Sequence, residues 1–284
     1  MNANPESAGQ AVSLGEAVFL GVVQGATEYL PISSSGHLTL SQHLLGIQEP
    51  VIFFDIVLHM GTLAAVIWYY RKSLMEAAGQ AAEGSAAIAS GGATASGTLK
   101  ENEGLRLFFL VFIALIPTGV IGLGLKSQFE AMFEQPRLVG VMLIVTGVFL
   151  FASRYAGKGG AGLKGMGIAT ALIVGAAQGL AVAPGISRSG ATICAALFMG
   201  VERETAARFS FILSIPAVLG ALILKLRDNL GDASAISMLA GFVTSAAVGY
   251  FCLALLIFII KKDRFSWFSY YCFAIGALAM YIFR

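Results

Sequence analysis

A chain of 284 residues that is 57% hydrophobic and 12% charged, with a mean hydropathy of +0.81, has too little polar surface to cover itself in water. That excludes an ordinary soluble domain and points to an all-α, multi-pass membrane protein. A net charge of +2 gives no basic footprint, so no nucleic-acid partner is expected.

The first ten residues, MNANPESAGQ, are polar and lack a basic n-region, so no signal peptide is expected. The segment 11–45 is apolar but broken by Pro, Gly, Ser and ionisable residues, unlike a simple span. Apolar runs follow at about 51–70, 105–125 and 138–153. Between the first two, residues 77–104 are small, polar and low in complexity, which predicts a flexible cytoplasmic loop. A second broken segment occupies 166–201, and three further runs cover about 209–225, 236–260 and 265–283. The expected architecture is one integral membrane domain over 1–284, with six transmembrane helices and two re-entrant segments. Cys194, Cys252 and Cys272 all lie in apolar stretches without metal-ligand spacing and read as packing residues.

Basic residues set an orientation. Arg71, Lys72, Lys100 and Arg106 bracket one loop, Arg154, Lys158 and Lys164 sit in another, and Lys261, Lys262 and Arg264 form a third cluster. The positive-inside tendency makes all three cytoplasmic, while the mixed-charge loops near 126–137 and 226–235 fall outside. Six spans then alternate only if each broken segment enters and leaves on one side, the first from outside and the second from the cytoplasm.

The broken segments also match each other. GVVQGATEYLPISSSGH (21–37) set over GAAQGLAVAPGISRSGA (175–191) agrees at seven of seventeen positions, including an IS-x-SG core, at an offset of 154. The spans that follow come in the same order. This predicts an inverted-topology repeat, about 11–125 and 166–260, whose broken helices meet near mid-membrane.

Both loops carry chemistry suited to an anion. Ser33, Ser35, Gly36, Gly185, Ser187, Ser189 and Gly190 supply hydroxyls and backbone amides for a phosphate-binding concavity, and new half-helices starting there would aim positive dipole ends at it. Arg188 adds a planar fork for phosphate oxygens. Gln24 and Glu28, four apart, share a helix face, and a dehydrated Glu28 can serve as base or acid. Ser34 or another loop serine can attack phosphorus, and His37 either moves protons or positions a neighbour.

QGATEYLPISSSGH with APGISRSGAT resembles the two signatures of the undecaprenyl-diphosphate phosphatase family, the bacitracin-resistance type of membrane phosphatase. FFDIVLHMGTLAAV (53–66) and FSFILSIPAVLGA (209–221) extend the likeness over essentially the whole chain. The resemblance implies hydrolysis of undecaprenyl diphosphate to the monophosphate, recycling the lipid carrier for peptidoglycan synthesis. It also implies a divalent cation such as Mg or Ca, the bacterial plasma (inner) membrane, an outward-facing site and often a homodimer. By motif position it makes Glu28, Ser34, His37 and Arg188 the catalytic core. The family's first acidic position is Gln24 here, so metal binding would fall on Glu28. Ser34 attack activated by Glu28 and direct attack by water both stay open.

Simpler roles compete. Ser and Gly in membrane segments usually serve close helix packing, Arg188 could snorkel, and Glu28 could sit at a helix end among headgroups. Asp55 and His59, four apart, could edge the site but read more simply as a helix pair near the interface, His43 and Glu16 as structural, and Glu202, Arg203, Glu204 and Arg208 as a solvated stretch. The rival function is a transporter or flippase of a phosphate-bearing lipid or anion, because inverted repeats with broken helices are transporter architecture.

Overall fold

The structure is a computed structural model that describes residues 12–47, 52–156, 160–225 and 234–283. Its helices, in chain order, are α1 (Leu14–Tyr29), α2 (Ser34–Leu44), α3 (Ile52–Ala89), α4 (Ala95–Glu101), α5 (Glu103–Gly124) and α6 (Lys126–Phe133). They continue with α7 (Pro136–Ala152), α8 (Ile168–Leu180), α9 (Arg188–Phe198), α10 (Arg203–Lys225), α11 (Ala235–Lys261) and α12 (Phe268–Ile282). Among the described residues there is no strand beyond an isolated parallel bridge between Ala161 and Val201.

Six of these elements are long and apolar enough to cross a membrane: α3, α5, α7 with the turn that follows it, α10, α11, and α12 with the turn that precedes it. They are the six apolar runs of the sequence, most of them lengthened. The run at 138–153 becomes a span of 20 residues, Pro136–Tyr155, because Pro136 opens α7 at a position where its missing N–H costs nothing. The two broken segments become helix pairs, α1–α2 and α8–α9. With 16, 11, 13 and 11 residues, none of their arms reaches the roughly 20 that a bilayer core requires.

Residues 77–104 differ from the expected irregular loop. Helix α3 runs on through this stretch to Ala89, and α4 fills much of the rest. Alanine is the best helix former, and the packing supports it: Gln80 accepts from the Gly104 amide through its side chain and from the Asn102 side chain through its carbonyl. Arg208 also departs from expectation. It lies in α10, lines a cavity of about 200 Å³ with Glu103 and Thr205, and its Nε is buried without a partner. Arg203 and Glu204 do form surface pairs, with Asp263 at 2.8 Å and Lys261 at 3.1 Å.

The basic clusters gather at one end of the bundle. Arg106 donates to the Leu163 and Met166 carbonyls, Lys164 pairs with Glu103 at 3.8 Å, and Lys261 meets Glu204. Arg71 lies over Trp68, Arg154 over Phe151, and Arg264 over Trp267, as in an interfacial belt of cations and aromatic rings. Lys158 and most of the 226–235 loop lie outside the described residues.

Two long-range seams order the bundle. Helix α1 runs along α11, and α8 runs along α5, so the first arm of each broken segment lies on a long helix from another part of the chain. Glycine makes both seams close: a Cβ at Gly25 would meet the Gly249 nitrogen at 2.8 Å, and one at Gly179 would meet Ile121 Cβ at 2.8 Å. In lipid, where tails are as apolar as leucine, such close contact rather than water exclusion holds helices together. Large side chains such as Phe112, Val120 and Phe251 stay exposed on the outside, facing where lipid would be.

Candidate active site

Ser13 caps α1 with a reciprocal Ser–Glu16 box, and the helix carries Gln24 and Glu28 inward on one face before ending at Tyr29. Tyr29 is fully buried, its ring edge-on to Phe211 and its hydroxyl donating to the Thr62 carbonyl, which fixes the end of α1 against α3. The chain then turns through Pro31 and Ile32, and Ser33 takes the left-handed side of backbone space at φ +70°. There its Oγ caps α2 by accepting from the Gly36 amide at 3.2 Å.

The second loop repeats this construction. Ser187 Oγ caps α9 by accepting from the Gly190 amide at 3.1 Å, and each cap hydroxyl lies beside that of the serine two residues on, Ser35 or Ser189. The loops are sewn together: the Gly185 amide donates to Ser33 Oγ at 3.2 Å, across 152 residues. Gly185 has φ +94°, and a Cβ there would meet the Val139 carbonyl oxygen at 2.5 Å, so this position requires glycine. Thr146 of α7 fastens the same turn, donating to the Gly185 carbonyl at 2.9 Å and accepting from the Ser187 amide at 3.0 Å.

Glu28 is the centre. Its Oε1 lies 2.6 Å from Arg188 Nη2, and its Oε2 accepts from Ser34 Oγ at 2.5 Å and from Gln24 Nε2 at 3.0 Å. The side chains of Glu28 and Arg188 are 9% and 16% exposed, so the pair is shielded and each charge has the other as its partner. Ser34 and Arg188 are the first residues of α2 and α9, so two helix N-termini converge on one carboxylate. Thr62 Oγ1, about 15 Å along α3 from Ile52 by helical rise, stands 3.5 Å from Gln24 Nε2.

Not every expected residue faces this cluster. The amides of Gly36, Gly185, Ser187 and Gly190 are engaged by Ser33, Thr146 and Ser187 hydroxyls, which gives these residues a part in holding the loops together. Ser189 is buried between Ser187 and the Leu30 carbonyl. His37 bonds elsewhere: its Nδ1 meets the Ser33 carbonyl at 2.8 Å and its Nε2 meets Tyr271 Oη at 2.9 Å.

Two further side chains contribute: His59, whose place at the edge of the site is the lesser of its two readings from sequence, and Tyr271, which the sequence does not single out. His59 brings Nε2 to 3.8 Å from Glu28 Oε2, with its Nδ1 on the Asp55 carbonyl at 2.8 Å. The Asp55 carboxylate accepts from Gln42 Nε2 at 2.8 Å. Asp55, His59 and Thr62 form a polar stripe on the otherwise apolar first part of α3, and that spacing is the signal for His59. Tyr271 had none.

Chemically, a hydroxyl held 2.5 Å from a carboxylate has a proton acceptor in place, the arrangement that nucleophilic attack requires. Arg188 Nη1 is buried with no partner, a donor left for an anion. For a metal, the described residues hold no group of three or more His, Cys, Asp or Glu side chains, and the one carboxylate is paired with Arg188. Gln24 Oε1 is, however, a buried acceptor without a partner next to Glu28. Glu28 and Gln24 Oε1 are thus two oxygen donors, fewer than the roughly six or more that a hard cation takes.

Fold and cluster together define a polytopic all-α membrane protein with an enclosed carboxylate–hydroxyl–guanidinium site. The family model of the bacitracin resistance protein BacA matches residues 17–278, and the chain belongs to that family. It is 46% identical over 269 residues to the undecaprenyl-diphosphatase of Desulfosudis oleivorans, covering 94% of this chain and 97% of that protein. It is 46% identical to the undecaprenyl-diphosphatase of Desulfatibacillum aliphaticivorans (93% and 97% covered) and 39% identical to that of Alkaliphilus metalliredigens (93% and 97%).

Proposed function

We propose that this membrane enzyme hydrolyses undecaprenyl diphosphate to undecaprenyl phosphate and inorganic phosphate, returning the lipid carrier to cell-wall synthesis and conferring bacitracin resistance. The observation that carries the reading is the three-way contact of Ser34, Glu28 and Arg188 inside a chain that belongs to the BacA family.

In this reading the terminal phosphate enters beside Arg188 Nη1 and the positive ends of α2 and α9, which take up the charge of the transferring group. Glu28 accepts the Ser34 hydroxyl proton as Ser34 Oγ bonds to phosphorus and the bond to the bridging oxygen breaks. Glu28 then returns that proton to the departing prenyl phosphate. Water attacks the phosphoserine, its proton passing to Glu28 and on to Ser34 Oγ as inorganic phosphate leaves. Gln24 holds Glu28 in place by its amide N–H. A divalent cation, Mg or Ca, would be held by Glu28 and Gln24 Oε1 together with diphosphate oxygens, and would supply charge neutralisation.

The two seams, α1 on α11 and α8 on α5, support the inverted repeat, and the gathered basic residues support a plasma-membrane topology with that end cytoplasmic and the site opening outward. A homodimer remains part of the proposal through the family resemblance.

Phosphate release from the purified protein on a long-chain prenyl diphosphate is the test. Release that disappears in Glu28→Gln supports the enzyme. No release, with vectorial movement of the lipid in proteoliposomes, establishes the transporter in its place.

A further inference from the structure

A second polar pair reaches the first loop from an unexpected side. Helix α12 lies outside both matching halves, yet Cys272 Sγ approaches the Pro31 carbonyl at 3.6 Å and Tyr271 Oη lies 2.9 Å from His37 Nε2. The His37 and Tyr271 rings stack 13° from parallel, with centroids 5.7 Å apart. The Ser33 carbonyl at His37 Nδ1 only accepts, so Nδ1 carries hydrogen and the neutral ring receives the Tyr271 hydroxyl at Nε2. The stack needs no hydroxyl; phenylalanine would fill the same space.

Position gives that hydroxyl a use. Tyr271 is 41% exposed, so the His37–Tyr271 pair lies where a ligand can reach it. Ser34 and His37 are three apart on α2 and share a face, with Cβ atoms about 5–6 Å apart, a step that two linked phosphates can span. A diphosphate whose terminal phosphate sits at Ser34 and Arg188 thus places its inner phosphate, the one retained on the prenyl chain, beside His37 and Tyr271.

We infer that Tyr271 is a substrate-binding residue which, with His37, holds the retained phosphate of a prenyl phosphate. The hydroxyl hydrogen rotates about the Cζ–O bond from Nε2 to a phosphate oxygen, and a proton brought by the phosphate or by water takes its place on Nε2. The inference rests on the phosphatase reading, since only that reading distinguishes an inner from a departing phosphate.

Its test compares full-length wild type with Tyr271→Phe, which keeps the stacked ring. Undecaprenyl monophosphate and inorganic phosphate are titrated separately as ligands, and turnover is measured beside them. The expected result is about tenfold weaker binding of undecaprenyl monophosphate and a raised KM, with inorganic phosphate binding and kcat held within about twofold. Unchanged monophosphate binding, equal weakening of both ligands, or a loss confined to kcat each overturns the assignment. If wild type releases no phosphate, the phosphatase reading fails by itself, while the monophosphate titration still decides whether Tyr271 touches a prenyl phosphate.

Discussion

Ser34 and Arg188 stand at equivalent places in two matching loops, each the first residue of a helix, and they hold opposite oxygens of the same carboxylate at 2.5 and 2.6 Å. The counterpart of Glu28 in the second loop is Val182, which is 44% exposed. Two similar helix starts therefore share one acid, and their side chains divide the labour: one can react, the other can only bind.

The first prediction follows from that division. Ser34→Ala should lower kcat by about a hundredfold or more, and rapid quenching of wild type with terminally labelled substrate should trap label on Ser34. Near-normal turnover in Ser34→Ala would assign the attack to water, with Glu28 as its base.

Arg188→Lys tests the fork. Arg188 binds Glu28 through Nη2 while Nη1 is left over, and one ammonium cannot occupy both places. A loss of about 10²–10³-fold in kcat/KM is expected with the charge unaltered. Activity within a few-fold of wild type would mean that charge alone suffices.

Loop closure gives a stability prediction. Ser33 Oγ accepts from both the Gly36 and Gly185 amides, so Ser33→Ala should leave two buried donors unpaired and cost about 1–3 kcal/mol for each. Gly185→Ala should be worse, forcing a Cβ against the Val139 carbonyl at an unfavourable φ. Thermal unfolding in detergent checks both, and an unshifted Tm in Ser33→Ala would show that the two loops are not held by this hydroxyl.

Gln24→Glu addresses the cation. A second carboxylate beside Glu28 should lower the Mg or Ca concentration giving half-maximal activity, because the site would no longer rely on a neutral amide oxygen. An unchanged metal titration would remove Gln24 from the cation's surroundings.

The spans were legible because bilayer thickness demands long apolar runs, and six such runs appear as six helices. The broken segments were legible from what interrupts them, and the Glu28–Ser34–Arg188 cluster from the motif match between them. Residues 77–89 were misread because Gly and Ser lowered the apparent complexity of a stretch whose many alanines favour helix. His59 was underweighted: nothing local to α3 says that it passes beside Glu28, a contact fixed by how α3 packs against α1. Tyr271 joins His37 across 234 residues and has no repeat counterpart, so no pattern in the chain could single it out.

The distance along the chain between Glu28 and Arg188 has a consequence for biogenesis. The two are 160 residues apart, and the first arm of each broken segment rests on a helix distant in the chain. At ordinary translation rates roughly ten to thirty seconds separate their synthesis. Throughout that interval the nascent protein carries an acid without its counter-ion and α1 without α11. A truncated or stalled product therefore keeps an unpaired carboxylate and an unpacked arm, which only completion of the second stretch removes.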